Sequence, residues 1–308
     1  MRIGLLGTGP WAGVTHGPGL AEHPEVELAG VWGRRPEAAA ELATTLRTRP
    51  YDTPEALFAD CEAVAFALPP DVQAPLAVRA AEAGCHLLLE KPVATTVDGA
   101  RAVADAVAAH DRASVVFCTF RFAPETASWV AAQSGTEGWL TGSVQAFASL
   151  FGGPEEPNPA TPWRRERGAL WDIGPHALSL LLPPLGDVVD LASIRAARGP
   201  DDMVHAVLCH ASGATSTLTL SLSMPPQAAG FQAELRGAAG VSTLPESGGG
   251  GPVRPFQRAV DALIQSANGG QPHPCDARFG LRVTEILAAI ESALQTSPPG
   301  HDLERHPA

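Results

Sequence analysis

The sequence predicts an α/β protein of two domains: a parallel-sheet domain over 1–120, then an α+β domain with a mostly antiparallel, open sheet over 121–308. Three observations lead there. Short apolar runs alternate with helix-forming stretches through the first 120 residues. Polar–apolar alternation replaces that rhythm from about Phe122. A chain of 308 residues is too long for one ordinary α/β core and comfortable for two domains.

The elements follow in order. Arg2 to Leu6 (RIGLL) reads as a short buried strand that runs into Gly7-Thr8-Gly9-Pro10-Trp11-Ala12 and a helical stretch. Val26 to Trp32 is a second apolar run, followed by a helix over Pro36 to Leu46. Next come the strand Ala63 to Leu68, the helix Val72 to Ala83 and the strand Cys85 to Leu89. A helix over Val97 to His110 and a strand over Ser114 to Cys118 complete the set. Short strands separated by longer helices form right-handed βαβ units and a parallel sheet. Further on, Ser143 to Leu150, Met203 to Ala211, Ala214 to Met224 and Phe231 to Leu235 alternate as strands with one face covered do. Pro/Gly-rich loops are expected over Gly152 to Pro162 and Pro245 to Pro255, and a helix over Phe279 to Leu294 closes the chain. The solvent side of the second sheet, rich in Ser, Thr and Ala, suits a subunit interface equally well.

Composition excludes several classes. Hydrophobic content of 45% with 18% charged residues describes a globular protein rather than a disordered one. The apolar stretch Ala177 to Leu182 is far too short to span a membrane and ends at Pro183-Pro184. Met1-Arg2 leads straight into a strand with no signal-peptide series, so a cytoplasmic address is expected. A net charge of -12 argues against nucleic acid and against an anionic membrane surface. The cysteines Cys61, Cys85, Cys118, Cys209 and Cys275 show no C-x-x-C spacing and read as reduced thiols, and no metal site is expected.

The glycine turn gains meaning from its place between the first strand and the first helix. G-x-G-x-x-A lets the chain turn tightly and lets its backbone approach a pyrophosphate, while the helix N-terminus offers free N–H groups. That is the fingerprint of a Rossmann dinucleotide-binding domain. Where NAD sites place an acid at the end of the second strand, this chain has Gly33-Arg34-Arg35. Arginines can clasp a 2′-phosphate that a carboxylate would repel, so NADP is expected over NAD. The other reading is a solvated arginine pair with NAD bound without its acid.

The basic residues comprise 20 arginines and a single lysine, Lys91. Lysine can release or relay a proton when its pKa is lowered, which arginine cannot do. A chance survivor of drift toward arginine is the alternative. Asp172 reads as a helix N-cap, with Pro175 in the first turn and His176 four residues on, able to share its face. An imidazole beside a carboxylate suits a general base taking a hydroxyl proton. A plain cap and a satisfied core histidine are the alternatives.

Taken together, Gly7 to Ala12, Glu90-Lys91-Pro92, Arg121-Phe122-Ala123-Pro124 and Asp172-Ile173-Gly174-Pro175-His176 occur in an order that resembles the glucose–fructose oxidoreductase, inositol dehydrogenase and rhizopine catabolism (Gfo/Idh/MocA) family. The likeness spans nearly the entire chain. It implies that Lys91 lies between nicotinamide and substrate hydroxyl, with Pro92 shaping its turn. It implies His176 as acid/base and Asp172 as a partner of substrate or histidine. Arg121, Trp163 and Arg164 would line the substrate pocket. Leu68, Pro69 and Pro70 would pass near the nicotinamide ribose, with Glu90 also beside the cofactor. The implied activity is reversible hydride transfer to or from a sugar, cyclitol or related polyol by a homodimer or homotetramer. Two positions depart from the family pattern: Ser179 stands where an Asp is frequent, and Gln73 where a His is common. Both bear on substrate choice or supporting hydrogen bonds. The rival readings are a cofactor-binding sensor without chemistry and a C=N or C=C reductase of the same architecture.

Overall fold

The structure, a computed structural model, describes residues 1–151, 162–246 and 249–296. These fall into two compact units, Met1–Ala132 with Pro245–Glu285, and Gln133–Leu244 with Ile286–Ala308 so far as it is described.

The first unit is built on five parallel strands: β1 (Arg2–Leu6), β2 (Glu27–Trp32), β3 (Ala63–Phe66), β4 (His86–Glu90) and β5 (Ser114–Phe117). Their order across the sheet is β2-β1-β3-β4-β5. Helices α1 (Gly17–Ala21), α2 (Pro36–Thr45), α3 (Pro54–Phe58), α4 (Pro70–Glu82) and α5 (Val97–Ala109) connect them. Period-two alternation sends successive side chains to opposite faces, so each strand feeds two cores. Leu87 and Leu89 join one cluster with α4 and α5, while Leu88 joins the other with Ile3, Leu5, Val31 and Phe117. Thr53 and Thr96 cap α3 and α5 by accepting the N–H groups of Ala56 and Gly99. Strand order reverses between β1 and β3, and the carboxyl ends of strands at such a switch point are where doubly wound sheets bind ligands.

Two short helices, α6 (Thr119–Phe122) and α7 (Pro124–Ser134), follow β5. The sequence boundary at 120/121 differs from the compact units, because a later segment returns to the first one. Helix α9 (Val253–Ala267) buries Phe256, Ala259, Val260 and Leu263 in the core shared with Leu88 and Phe117. It begins at Val253, within the stretch expected to be loop up to Pro255, because proline is tolerated in a helix's first turn. The other expected loop, Gly152 to Pro162, lies outside the described residues except for Pro162, which begins a helix.

The second unit carries β6 (Trp139–Phe147), β7 (Arg195–Arg198), β8 (Val204–Cys209), β9 (Thr215–Ser221), β10 (Gly230–Gly237) and β11 (Gly240–Thr243). The order is β11-β10-β6-β9-β8-β7, antiparallel except for the β6–β9 pair. Val144, Ala146, Leu208, Leu218, Leu220 and Leu235 are buried, whereas Gln145, Val207, Thr215, Thr217 and Arg236 on the other face are exposed. Helix α8 (Pro162–Leu185) covers the apolar face, and the second half of α10 (Ala277–Thr296) packs on it. Among the described residues, no helix is long and apolar enough to cross a membrane.

Candidate active site

The glycine turn leaves β1 through Gly7, whose φ of +123° is open to glycine and strained for L side chains. A Cβ there would also lie 2.3 Å from the carbonyl oxygen of Ala67. The Gly7 N–H donates to the Trp32 carbonyl at 2.8 Å, tying the turn to the end of β2. Gly33 continues that tie, since a Cβ at 33 would come 2.6 Å from Thr8 Cγ2. Gly9 is different: nothing lies within 4 Å of where its Cβ would be. Its backbone is therefore open to a close-approaching group, and residues 10–21 form the helix that begins beside it. Arg34 and Arg35 are exposed just beyond β2, and Leu68 and Pro69 are half-buried beyond β3. An open glycine at a helix N-terminus, at the carboxyl end of the first strand, fits the pyrophosphate of a dinucleotide.

Inside that helix Ala12–His16 is wound as a π-helical turn. Bonding between residues i and i+5 brings Trp11 and His16 onto one side, and their rings meet edge to face at 6.5 Å. Both reach the end of β4. Trp11 Nε1 donates to Glu90 Oε1 at 2.8 Å, and His16 Nε2 lies 3.2 Å from the same oxygen. The backbone N–H of Lys91 donates to Glu90 Oε2 at 3.1 Å. Glu90 is 8% exposed, so its carboxylate oxygens are met by these protein groups rather than by bulk water.

The next residues form the lysine's turn. Lys91 is half-buried, its bond to Pro92 is cis, and Pro92 and Val93 are buried. Gln73, from the first turn of α4, is wholly buried and spends its entire side-chain amide on this turn. Its Oε1 accepts the Glu90 N–H at 2.8 Å, and its Nε2 donates to the carbonyls of Glu90 (2.8 Å), Val93 (3.1 Å) and Pro92 (3.3 Å). The sequence marked Gln73 as a departure, and the structure gives it a backbone-holding place. His16 carried no sequence signal, because a helical period of 3.6 does not pair it with Trp11.

The remaining expected residues lie apart from the glycine turn in sequence. Trp163, Arg164, Asp172 and His176 all belong to α8 in the second unit. Gly168 breaks that helix with φ 63° and ψ -163°, so Asp172 sits within helical backbone four residues beyond the break rather than at the cap expected for it. Its Oδ1 pairs with Arg164 Nε at 3.2 Å, and the Arg164 guanidinium lies over the Trp163 ring at 5.0 Å. Asp172 and His176 keep the four-residue spacing that puts both on one helix face. Ser179 donates its hydroxyl to the His176 carbonyl at 2.7 Å. Gly174 has a packing reason, since a Cβ there would lie 2.6 Å from Leu287 of α10.

Arg121 belongs to α6 in the first unit, in a half-buried cluster with His273 and Cys275. Burial, then the Arg121 charge, pushes the His273 imidazole down to about 4. Burial raises the thiols of Cys275 and Cys85 to about 11 and of Cys61 to about 12, so all three stay protonated at neutral pH.

Comparison with known proteins completes the picture. Residues 1–117 match the family described as an oxidoreductase family with an NAD-binding Rossmann fold, and residues 129–242 match the GFO/IDH/MocA C-terminal domain. Inositol 2-dehydrogenase of Rhizobium meliloti is 26% identical, covering 98% of this chain and 92% of that protein. The oxidoreductase YdgJ of Escherichia coli is 29% identical over 68% of this chain, and the chain spans 62% of its length. In fold, the WlbA dehydrogenase from Bordetella pertussis, solved with NADH and UDP-GlcNAcA, aligns with a TM-score of 0.81 at 22% identity, over 96% of this chain and 97% of that one. With both of its sheets matched by domains of one family, the chain belongs to the GFO/IDH/MocA family of oxidoreductases.

Proposed function

We propose that the protein is an NADP-dependent dehydrogenase or reductase acting on a CH–OH group of a sugar, cyclitol or related small polyol. The observation that supports this most is the lysine turn. The only lysine of the chain stands at the carboxyl end of β4, and its neighbour Glu90 is hydrogen-bonded to Trp11 of the glycine turn. Gly7 to Ala12, Leu68, Pro69 and Glu90-Lys91-Pro92 would hold the dinucleotide, with Arg34 and Arg35 on the 2′-phosphate. The bound nicotinamide supplies or accepts hydride at its C4. Lys91 would hold the substrate hydroxyl and relay its proton, and His176 would take that proton in oxidation or return it in reduction. Asp172 would orient the substrate or the imidazole, while Arg121, Trp163 and Arg164 would contact the substrate's polar groups. Fixing the reacting groups in place would supply much of the acceleration.

The names of the relatives support the substrate class: one acts on inositol, and one was solved with a sugar nucleotide. NADH is the cofactor named with the solved relative, so the preference for NADP rests on Gly33-Arg34-Arg35 of this chain. In this reading residues 1–120 bind NADP, while substrate binding and homo-oligomerisation fall to residues within 121–308. The exposed sheet face would join the subunits of a cytoplasmic homodimer or homotetramer. The experiment is steady-state turnover of NADPH or NADP with a panel of sugars and cyclitols, for wild type and Lys91→Arg. Retaining charge while losing the transferable proton, Lys91→Arg is expected to fall by about 100-fold or more. Turnover close to wild type would refute the lysine's role.

A further inference from the structure

We infer that Gln73 is a positioning residue for Lys91, fixing where the lysine's amine points without touching substrate itself. The inference rests on the reading that Lys91 takes part in the reaction.

Gln73 is 0% exposed and lies between α4 and the end of β4, a place where apolar side chains usually pack. Its partners are not scattered. One N–H and one carbonyl belong to Glu90, immediately before the lysine, and the other two carbonyls belong to Pro92 and Val93, immediately after it. The backbone is thus held on both sides of Lys91 by one side chain. The amide's orientation is dictated by these partners, because the reversed amide would set its oxygen against three carbonyl oxygens. Only a side chain of this length carrying both acceptor and donors serves the set. Glutamate keeps the acceptor and loses both donors, leucine keeps the volume and loses everything polar, and asparagine is one methylene short.

Lysine has four side-chain torsions, so a small rotation of its backbone displaces the amine by far more than it displaces the Cα. A misplacement of about 1 Å at a reacting group costs on the order of 100-fold in rate. The chain offers an unusually direct probe, since Lys91 is the only lysine. Protein grown on [6-13C]lysine gives one Cε resonance, whose pH titration reports the Lys91 amine alone and needs no turnover.

Wild type, Gln73→Leu and Gln73→Asn are compared by this titration, by kcat and KM, and by circular dichroism. The expected result is a folded variant whose Lys91 resonance and titration midpoint have both moved, with kcat down about 100-fold and KM changed far less. Should Gln73→Leu not fold, Gln73→Asn carries the same comparison. A folded variant with the resonance and midpoint of wild type overturns the proposal, whatever its kcat, because Gln73 would then be a packing residue. If Lys91→Met keeps wild-type turnover while the resonance still moves in Gln73→Leu, the positioning stands and the catalytic reading of Lys91 falls instead.

Discussion

Trp11 and Glu90, 79 residues apart, share a 2.8 Å hydrogen bond from the indole Nε1 to the carboxylate Oε1. Trp11 opens the helix after the glycine turn, and Glu90 precedes the lysine. Glycine turn and lysine turn are thereby tied through one buried carboxylate, with His16 on the same oxygen.

Trp11→Phe tests what that tie does. The ring is 39% exposed, so phenylalanine removes the donor with little loss of core packing. A hydrogen bond to a charged group contributes about 1.5–3 kcal/mol. Losing it leaves the glycine turn to be ordered when the dinucleotide binds, which weakens affinity. Calorimetric titration should give a Kd for NADPH raised about 10-fold. An unchanged Kd would mean that the bond does not hold the turn.

In the proposed reading Arg34 and Arg35 would carry the preference for NADP. Replacing both with serine should raise the Kd for NADPH by about 10- to 100-fold, the cost of losing charged hydrogen bonds to one phosphate. The Kd for NADH, which lacks that phosphate, should stay nearly constant. Equal losses for both dinucleotides, or a wild-type preference for NADH, would remove the 2′-phosphate from the account.

The parallel strands were legible because each is a short apolar run buried on both faces and bounded by turn residues. Lys91 stands out for another reason, its rarity in a chain that uses arginine elsewhere. What stayed hidden depended on irregular geometry or on distant partners. The π-helical turn that pairs Trp11 with His16 breaks the period on which helix reading rests. Asp172 reads as a cap because Pro175 follows it within one turn, yet the break falls earlier, at Gly168. Strands β7 (RAAR) and β11 (GVST) are short and largely exposed, so they show no alternation. Helix α9 carries no sequence expectation: its first three residues fall in the Pro/Gly-rich stretch that ends at Pro255, and the rest lies beyond it. The four bonds of Gln73 go to residues 17 to 20 positions later, which no local pattern encodes.

Gly174 shows how a motif residue can serve packing. Its absent Cβ leaves room for Leu287 Cδ2, which would lie 2.6 Å away. Gly174→Ala should therefore overpack the contact between α8 and α10 at a cost of about 1–3 kcal/mol. Scanning calorimetry should show a lower melting temperature, with each kcal/mol worth about 2–4 °C in a protein of this size. An unchanged midpoint would mean that α10 yields freely at this point.

His273 gives the fold a dependence on pH. Its ring stacks on Phe122 at 5.0 Å, and its Nδ1 accepts the Cys275 N–H at 3.0 Å, so the neutral ring carries its proton on Nε2. Burial is the main cause that lowers the imidazole to about 4, and Arg121 adds to it against the smaller opposing pull of Asp276. In the unfolded chain the same group takes its proton near pH 6.5. Between those values the unfolded state binds a proton that the folded state refuses. The contribution is thus fully present above about pH 6.5 and is lost as pH falls toward 4. Urea unfolding followed from pH 7 to 4 should show a steeper loss of stability in wild type than in His273→Gln. Glutamine retains an acceptor but does not titrate, so its curve should be flatter across that window. Parallel curves would assign the acid sensitivity to other groups.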